Sequence, residues 1–284
     1  MLTNNPLLLK MRKNAYSVVI NLLMAVLSFT CIFPIIWMFY SSLKSQKEFA
    51  LDTVGLPKVI HFSNYGQAFE EGKLAGYFAN SMLNTVITVL IVLVVAFVTA
   101  YCLARFKFMG RNLLYYLFLS GMLIPIYALL IPIFIEFKTL NLLNKRLTLI
   151  LPYIAFAMPT AIFLIESYVK SIPVEMEEAA YMDGCSIIKS MFSIIMPMCR
   201  PVLATTAILT FLHTWNEFPL ALVLIRSNRL KTMPIGLTNF VGTYTVNYPL
   251  MMAALVISTL PVIIMYFLFY NQIMKGMVAG AVKG

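Results

Sequence analysis

"EEAAYMDGCSIIKSMFSIIMP", residues 177–197, is an acidic, alanine-rich and glycine-broken run inside a chain that otherwise reads as lipid-soluble. Just upstream, Ser171 is placed to cap a helix and Pro173 to occupy its first turn. Glu175, Glu177 and Glu178 fall at the positive end of that helix's dipole. Met176, Ala179 and Ala180 give a short apolar face at i, i+3, i+4 spacing. Gly184 is a helix stop, and Ser186 a cap for a second short helix through Ile187, Met191 and Ile194–Ile195, ended by Pro197. The expected product is a bent helix pair that stands in water. It is too small to bury its own apolar face, and its shape fits a groove on another protein.

The surroundings of this run are apolar. Of 284 residues, 61% are hydrophobic and only 11% charged, against about 25% charged in a soluble domain. A water-soluble fold of this size cannot hide so much apolar surface, so the bilayer is the solvent. Six segments are long and apolar enough to cross it: residues 17–40, 81–104, 113–135, 147–169, 203–225 and 250–270. They lack the strict alternation of barrel strands, and backbone groups in lipid must be paired within their own segment, which makes all six helices. The first is too long for a signal-peptide core and has no small-residue cleavage site, so it reads as retained. The expected organisation is a tail (1–16), a first helix with its loop (17–40 and 41–76), a core of five further helices (77–273) containing the quoted loop (170–200), and a second tail (274–284).

An even number of crossings puts both termini on one side. Lys10, Arg12 and Lys13 before the first helix favour the cytoplasm. The remaining cations decide little: with that orientation 11 of the 21 Lys and Arg are cytoplasmic and 10 outside. The net charge of +10 is spread over short loops without a continuous patch, which points to lipid headgroups and topology and away from nucleic acid. Cys31, Cys102, Cys185 and Cys199 have no CxxC spacing and read as packing residues, with neither a disulfide framework nor a metal site. No GxxxxGK[ST] phosphate loop is present, so any nucleotide chemistry belongs to another subunit.

The fifth segment is unusual. On a helical wheel Thr206, Thr210, His213 and Glu217 share one face, bordered by Asn216, while Phe211, Trp215 and Phe218 share the opposite one. Two readings stand: His213, Asn216 and Glu217 line a polar translocation path, or they are interhelical hydrogen-bond glue near the interface. His213 and Glu217 lack a third ligand for a metal, and with Glu166 they lack the paired groups an intramembrane enzyme needs. Pro125, Pro132, Pro152 and Pro159 each remove a backbone donor and are expected to kink the third and fourth helices.

The spacing Glu178-Ala179-Ala180, three residues, Gly184, nine residues, Ile194, one residue, Met196-Pro197 resembles the EAA loop of ABC-importer permeases, EAA-x3-G-x9-I-x-L-P. Met196 replaces the usual Leu, a volume-conserving exchange. Three blocks in order extend the likeness over nearly the whole chain: "SIPVEMEEAAYMDGCS", "RPVLATTAILTFLHTWNEF" and the terminal "MVAGAVKG". They are similar to the carbohydrate-uptake branch of the family, of the maltose-transporter (MalG-like) kind.

The resemblance implies a type I importer permease with the MetI-like fold, in the bacterial cytoplasmic membrane with both termini cytoplasmic. It implies a second homologous permease, two ABC ATPase subunits that bind the ATP, and an extracytoplasmic solute-binding protein, with no cofactor on this chain. By position, Glu178, Ala179, Ala180, Asp183, Gly184, Ile194 and Pro197 belong to the segment that docks on the ATPase. Gly280, Lys283 and Gly284 belong to a tail that reaches it, and residues 226–249 to a loop that touches the binding protein. The implied cargo is a carbohydrate, in oligosaccharide form; a polyol, glycerol phosphate or peptide is the alternative.

Overall fold

The computed structural model describes residues 6–240 and 246–281, with side chains placed for 16–240 and 246–270. Among the described residues the chain is helical, in the order α1 (Pro6–Ser41), α2 (Gln46–Leu51), α3 (Ser63–Glu71), α4 (Leu74–Arg105), α5 (Arg111–Gly121), α6 (Ile126–Thr139), α7 (Leu147–Ser171), α8 (Glu175–Met182), α9 (Ile187–Ser190), α10 (Met196–Met198), α11 (Arg200–Trp215), α12 (Pro219–Leu224), α13 (Met233–Gly236) and α14 (Tyr248–Ala281). A π-helical turn, Met191–Ile195, joins α9 to α10. The all-helical expectation therefore holds.

The chain divides into two compact units, Met1–Glu71 with Phe240–Ile257, and Gly72–Asn239 with Ser258–Gly284. In the first, α1 is exposed over residues 16–33, and the loop after it is organised around Asn64, whose amide donates to the carbonyls of Ser42 (2.7 Å) and Lys44 (2.8 Å). In the second, α4 and α7 pack side by side and α11 lies against both. Their shared core includes Val92, Ala96, Phe97, Ala100, Ala161, Ile162, Ile165 and Ile195. The three alanines let helix backbones approach closely, as membrane bundles require.

Among the described residues four helices are long and apolar enough to cross a membrane unaided, and two bent pairs, Arg111–Gly121 with Ile126–Thr139 and Ile187–Met198 with Arg200–Trp215, bring the number to six if each is one span. The third segment breaks between α5 and α6 with a 99° bend. The break falls before Pro125, because a proline forces the preceding residue out of the helical region. Pro132, Pro152 and Pro159 remain inside helices. Gly121 at the end of α5 meets α7 closely: a Cβ there would lie 2.9 Å from Pro159 Cγ. The fifth segment also breaks, because Asn216–Phe218 interrupts the helix ahead of Pro219 and leaves α12 separate.

Candidate functional site

Residues 172–199 leave the membrane bundle as a short bent segment. Ile172 is extended, and α8 starts after Val174. Ser171 does not cap it: its hydroxyl turns back to the Tyr168 carbonyl (2.7 Å). The N-terminus of α8 has no side-chain cap; the N–H groups of Met176, Glu177 and Glu178 donate to the Pro173 and Val174 carbonyls, and Glu175, Glu177 and Glu178 put negative charge at the positive end of the dipole.

The other end of α8 follows the expected stop. Gly184 is left-handed, φ +79°. The Cys185 N–H donates to the Ala180 carbonyl (2.9 Å) and the Gly184 N–H to that of Tyr181 (3.0 Å). These are the two bonds of a Schellman cap. Ser186 Oγ then accepts the Lys189 N–H and starts α9. Pro197 does not end this second helix. The π turn carries it past Pro197, with the Met196 N–H bonded to Met191 O, and the chain bends by 76° only after Met198. Pro201 explains the place of the bend, since it cannot donate to the carbonyl of Pro197 four residues back.

α8 has two faces. Glu177 and Ala180 are buried, whereas Glu178, Ala179 and Asp183 are exposed and Met182 is 88% exposed. Val174, Met176 and Tyr181 add further exposed apolar surface. Beyond the bend, Ile194 is half-buried against the core, and Pro197 is exposed.

The buried face is held by charge. Glu177 Oε1 receives the Arg105 Nε–H at 2.5 Å, Oε2 receives the Tyr101 hydroxyl at 2.7 Å, and Arg105 Nη2 donates to the Ile172 carbonyl at 2.9 Å. Both charged side chains are at least nine-tenths buried. The last turn of α4 is thereby locked to α8 and to the strand-like link before it. Sequence reasoning missed Arg105, Tyr101 and Glu177. The available signal was Arg105, a cation closing an otherwise uncharged 32-residue helix. Close by, Glu166 pairs with Lys170 one turn on, and Lys170 Nζ lies 5.5 Å from the Tyr115 ring centre.

The polar face expected on the fifth helix does not stay together. The helix ends at Trp215, so the wheel cannot be continued to Glu217. Glu217 is buried, and its carboxylate accepts the Tyr153 hydroxyl (2.7 Å) and the N–H groups of Leu220 (2.6 Å) and Ala221 (3.1 Å). It caps α12 and ties it to α7. His213 and Asn216 are exposed, and the Asn216 amide donates to the Leu212 carbonyl (2.9 Å). Trp215 is packed: it stacks on Phe211 and donates to the Ser258 carbonyl (3.0 Å). Glu166 and Glu217 thus have separate partners. Among the described residues no group of three or more His, Cys, Asp or Glu is placed to hold a metal.

At the opposite end of α4, Asn80 is a second anchor. Its amide donates to the carbonyls of Arg229 (2.9 Å) and Lys231 (3.0 Å) and accepts from Arg146 Nη1 (2.8 Å). Ser81 Oγ accepts the Met233 N–H (2.8 Å), and Asn144 Oδ1 accepts those of Arg226 (2.6 Å) and Ser227 (2.9 Å). The loop after α12 is therefore bound to α4 and to the α6–α7 connection. Gly236 in it abuts Tyr77, whose ring a Cβ would overlap at 2.3 Å. In the tail, Gly280 falls where the backbone alone is described, and Lys283 and Gly284 lie outside the described residues.

Residues 93–278 match the family described as binding-protein-dependent transport system inner membrane component. A probable ABC transporter permease protein, YurM of Bacillus subtilis, is 37% identical over 252 residues, 89% of this chain and 84% of that one. The trehalose/maltose transport system permease protein MalG of Thermococcus litoralis is 33% identical, covering 93% and 94%. Among solved structures, a chain of a bacterial ABC transporter involved in the import of the acidic polysaccharide alginate superposes with a TM-score of 0.80. It is 27% identical and covers 92% of this chain and 97% of its own.

Proposed function

The chain belongs to the binding-protein-dependent transport system inner membrane components, and from that premise we propose that it carries saccharides as one permease of a heterodimeric ABC importer. It is a multi-pass membrane transport subunit and not an enzyme. The relatives' names support a sugar or oligosaccharide as the cargo. ATP is bound and hydrolysed by two partner ATPases in the cytoplasm, on the side where both termini lie. An extracytoplasmic binding protein delivers the cargo from the other side.

The observation that carries this reading is the construction of α8, apolar and exposed on one face and ion-paired to α4 on the other. Glu178, Ala179, Asp183 and Gly184 face the ATPase groove, Ala180 packs inward, and Ile194 and Pro197 shape the return of the chain to the membrane. The tail at Gly280, Lys283 and Gly284 reaches the same partner. ATP binding closes the ATPase dimer and draws the α8 segments of the two permeases together. Each α8 pulls on α4 through Glu177 and Arg105, and the bundle opens outward. Hydrolysis restores the inward-open state, so the bundle is a two-state element biased by its partner. His213 and Asn216 face the path, and Glu217 holds α12 in place behind them.

The test is a reconstituted importer in which Gly184 is replaced by Trp. Sugar capture by the binding protein is expected to persist while uptake and stimulated ATP hydrolysis are lost. Normal uptake with normal stimulation would contradict the assignment of α8.

A further inference from the structure

At the end of the bundle away from α8, a cleft of about 130 Å³ opens between α6, the α6–α7 connection and the chain after α12. Phe134, Leu143, Val223 and Leu224 give it an apolar lining, and Lys138, Asn144 and Arg226 are its polar groups. All three polar groups are poised to donate. The Arg226 guanidinium lies over the Phe134 ring, 5.9 Å from its centre, a contact that holds the group without using its N–H donors. Its main chain is fixed as well, because Asn144 Oδ1 accepts the N–H groups of Arg226 (2.6 Å) and Ser227 (2.9 Å). With that oxygen occupied, Asn144 has its NH2 left to offer. Among the described residues neither Lys138 nor Arg226 is in an ion pair, and the side-chain nitrogens of all three residues have no hydrogen-bond acceptor.

No carboxylate is among the described residues that line the cleft. Glu136 is exposed on α6, about 200° round the helix from Lys138, and the Glu217 carboxylate is buried and already accepts three hydrogen bonds. Lys138 and Arg226 each stand at the C-terminal end of a helix, α6 and α12, where the dipole favours a single cation. The dipoles do not account for two like charges that meet in one cleft, since these repel unless an anion sits between them. The face of α6 that carries Lys138 is apolar one and two turns back. Ile131, Ile135 and Lys138 share it at i, i+4, i+7 spacing, and both isoleucines are exposed, as is Leu222 on α12. An exposed apolar stripe that ends in a cation matches a phospholipid, with its tail along the isoleucines and its phosphate at the ammonium.

We propose that this cleft is a lipid site: it holds the phosphate of an anionic phospholipid, in the leaflet away from α8, between Lys138, Arg226 and the Asn144 amide. The bound headgroup fastens the chain after α12 to the end of α6. A free oxyanion offers the same charge and acceptors, but it leaves the apolar lining and the isoleucine stripe without a role. The cleft is also too small for a saccharide chain, at about 130 Å³ against the several hundred Å³ of a ligand pocket. Net charge decides which lipid is held. A zwitterionic headgroup brings an ammonium of its own towards two cations, whereas an anionic headgroup brings none. The guanidinium, with its fork of donors, is suited to two phosphate oxygens at once.

The experiment uses the assembled complex, stripped of lipid in detergent and offered phosphatidylglycerol and phosphatidylcholine together. Bound lipid is counted by native mass spectrometry, a readout independent of what the importer carries. The wild type is expected to hold one phosphatidylglycerol at this site about tenfold more tightly than phosphatidylcholine, the ratio that one charge-assisted hydrogen bond supplies. The double variant Lys138→Gln with Arg226→Gln is expected to retain one phosphatidylglycerol fewer per complex. The exchange variant Lys138→Arg with Arg226→Lys keeps both charges and is expected to retain it. An unchanged thermal midpoint in the absence of anionic lipid verifies the fold of the Gln pair. If that pair does not assemble, Lys138→Gln alone, at an exposed position, carries the test and is expected to lose most of the preference. An equal count in wild type and variants overturns the proposal, as it would if an acidic side chain of the partner permease filled the cleft. So does equal retention of phosphatidylcholine. Displacement of the lipid by excess inorganic phosphate overturns it too, and assigns the cleft to a free anion.

Discussion

The two ends of α4 are both tied down, but by different chemistry. At the end nearest α8 the tie is an ionised carboxylate held by a guanidinium and a phenol, all within the protein. At the far end it is a neutral amide, Asn80, bonded to main-chain carbonyls and one arginine. Hydrogen bonds to charged groups contribute about 1.5–3 kcal/mol each, neutral ones about 1 kcal/mol. The burial of Arg105 and Glu177 also shields their tie from salt. One end is thus fixed and the other adjustable. Between them α4 has no proline and no break, whereas the chain bends between α5 and α6 and is interrupted between α11 and α12. A continuous helix tied by charge at the α8 end and by a neutral amide at the other is what the proposed coupling of α8 to the bundle requires.

Arg105→Ala breaks the contrast most severely, because it leaves Glu177 buried without its counter-charge. Removal of one partner of a buried pair costs about 3–5 kcal/mol. Uptake is expected to vanish and the ATPase to detach more readily, measured by co-purification. Arg105→Lys is expected to restore only part, since an ammonium cannot serve Glu177 and the Ile172 carbonyl together as the guanidinium fork does.

Asn80→Ala tests the soft end. Loss of its hydrogen bonds costs about 1–3 kcal/mol. It is expected to weaken stimulation by the binding protein while ATPase co-purification stays normal. Equal damage to both would show that the two ends are not separate.

Gly184→Ala sharpens the picture of α8. A Cβ there meets nothing within 4 Å, so the cost is backbone strain alone, about 1–2 kcal/mol for a left-handed residue. Transport is expected to fall partially, in contrast to the loss expected for Trp, which obstructs docking.

The smallest effect is expected for Tyr101→Phe, which removes one bond to Glu177 and leaves Arg105. About 1.5 kcal/mol of local stability is lost, the low end for a bond to a charged group because Arg105 still pairs Glu177, visible as faster hydrogen exchange in α8 with uptake nearly normal.

How much of this was readable in the sequence varied with how local the cause was. Gly184 and Ser186 act through bonds to near neighbours, and their spacing announced them. Glu177 differs: three acids share the first turn of α8, and which one is buried depends on where the end of α4 arrives. The meeting of residues 138–146 with 226–231 is of the same kind, since the two segments are far apart in the sequence and the bonds of Asn80 and Asn144 that join them belong to the fold. The breaks in the third and fifth crossings were half-legible. A residue before proline resists the helix, yet Pro132, Pro152 and Pro159 are accommodated and Pro125 and Pro219 are not. The wheel that joined Glu217 to His213 failed because it ran past the helix end.

The central claim is that α8 is a cytoplasmic docking element. It is tested most directly with Met182→Cys in a chain whose Cys31, Cys102, Cys185 and Cys199 are replaced. Met182 is the most exposed of the large apolar side chains of α8. In intact cells a membrane-impermeant thiol reagent is expected to leave the new cysteine unmodified, and in inverted vesicles to modify it only until the ATPase subunits are added back. Modification from outside intact cells, or reactivity in inverted vesicles that the ATPase does not change, would contradict the account.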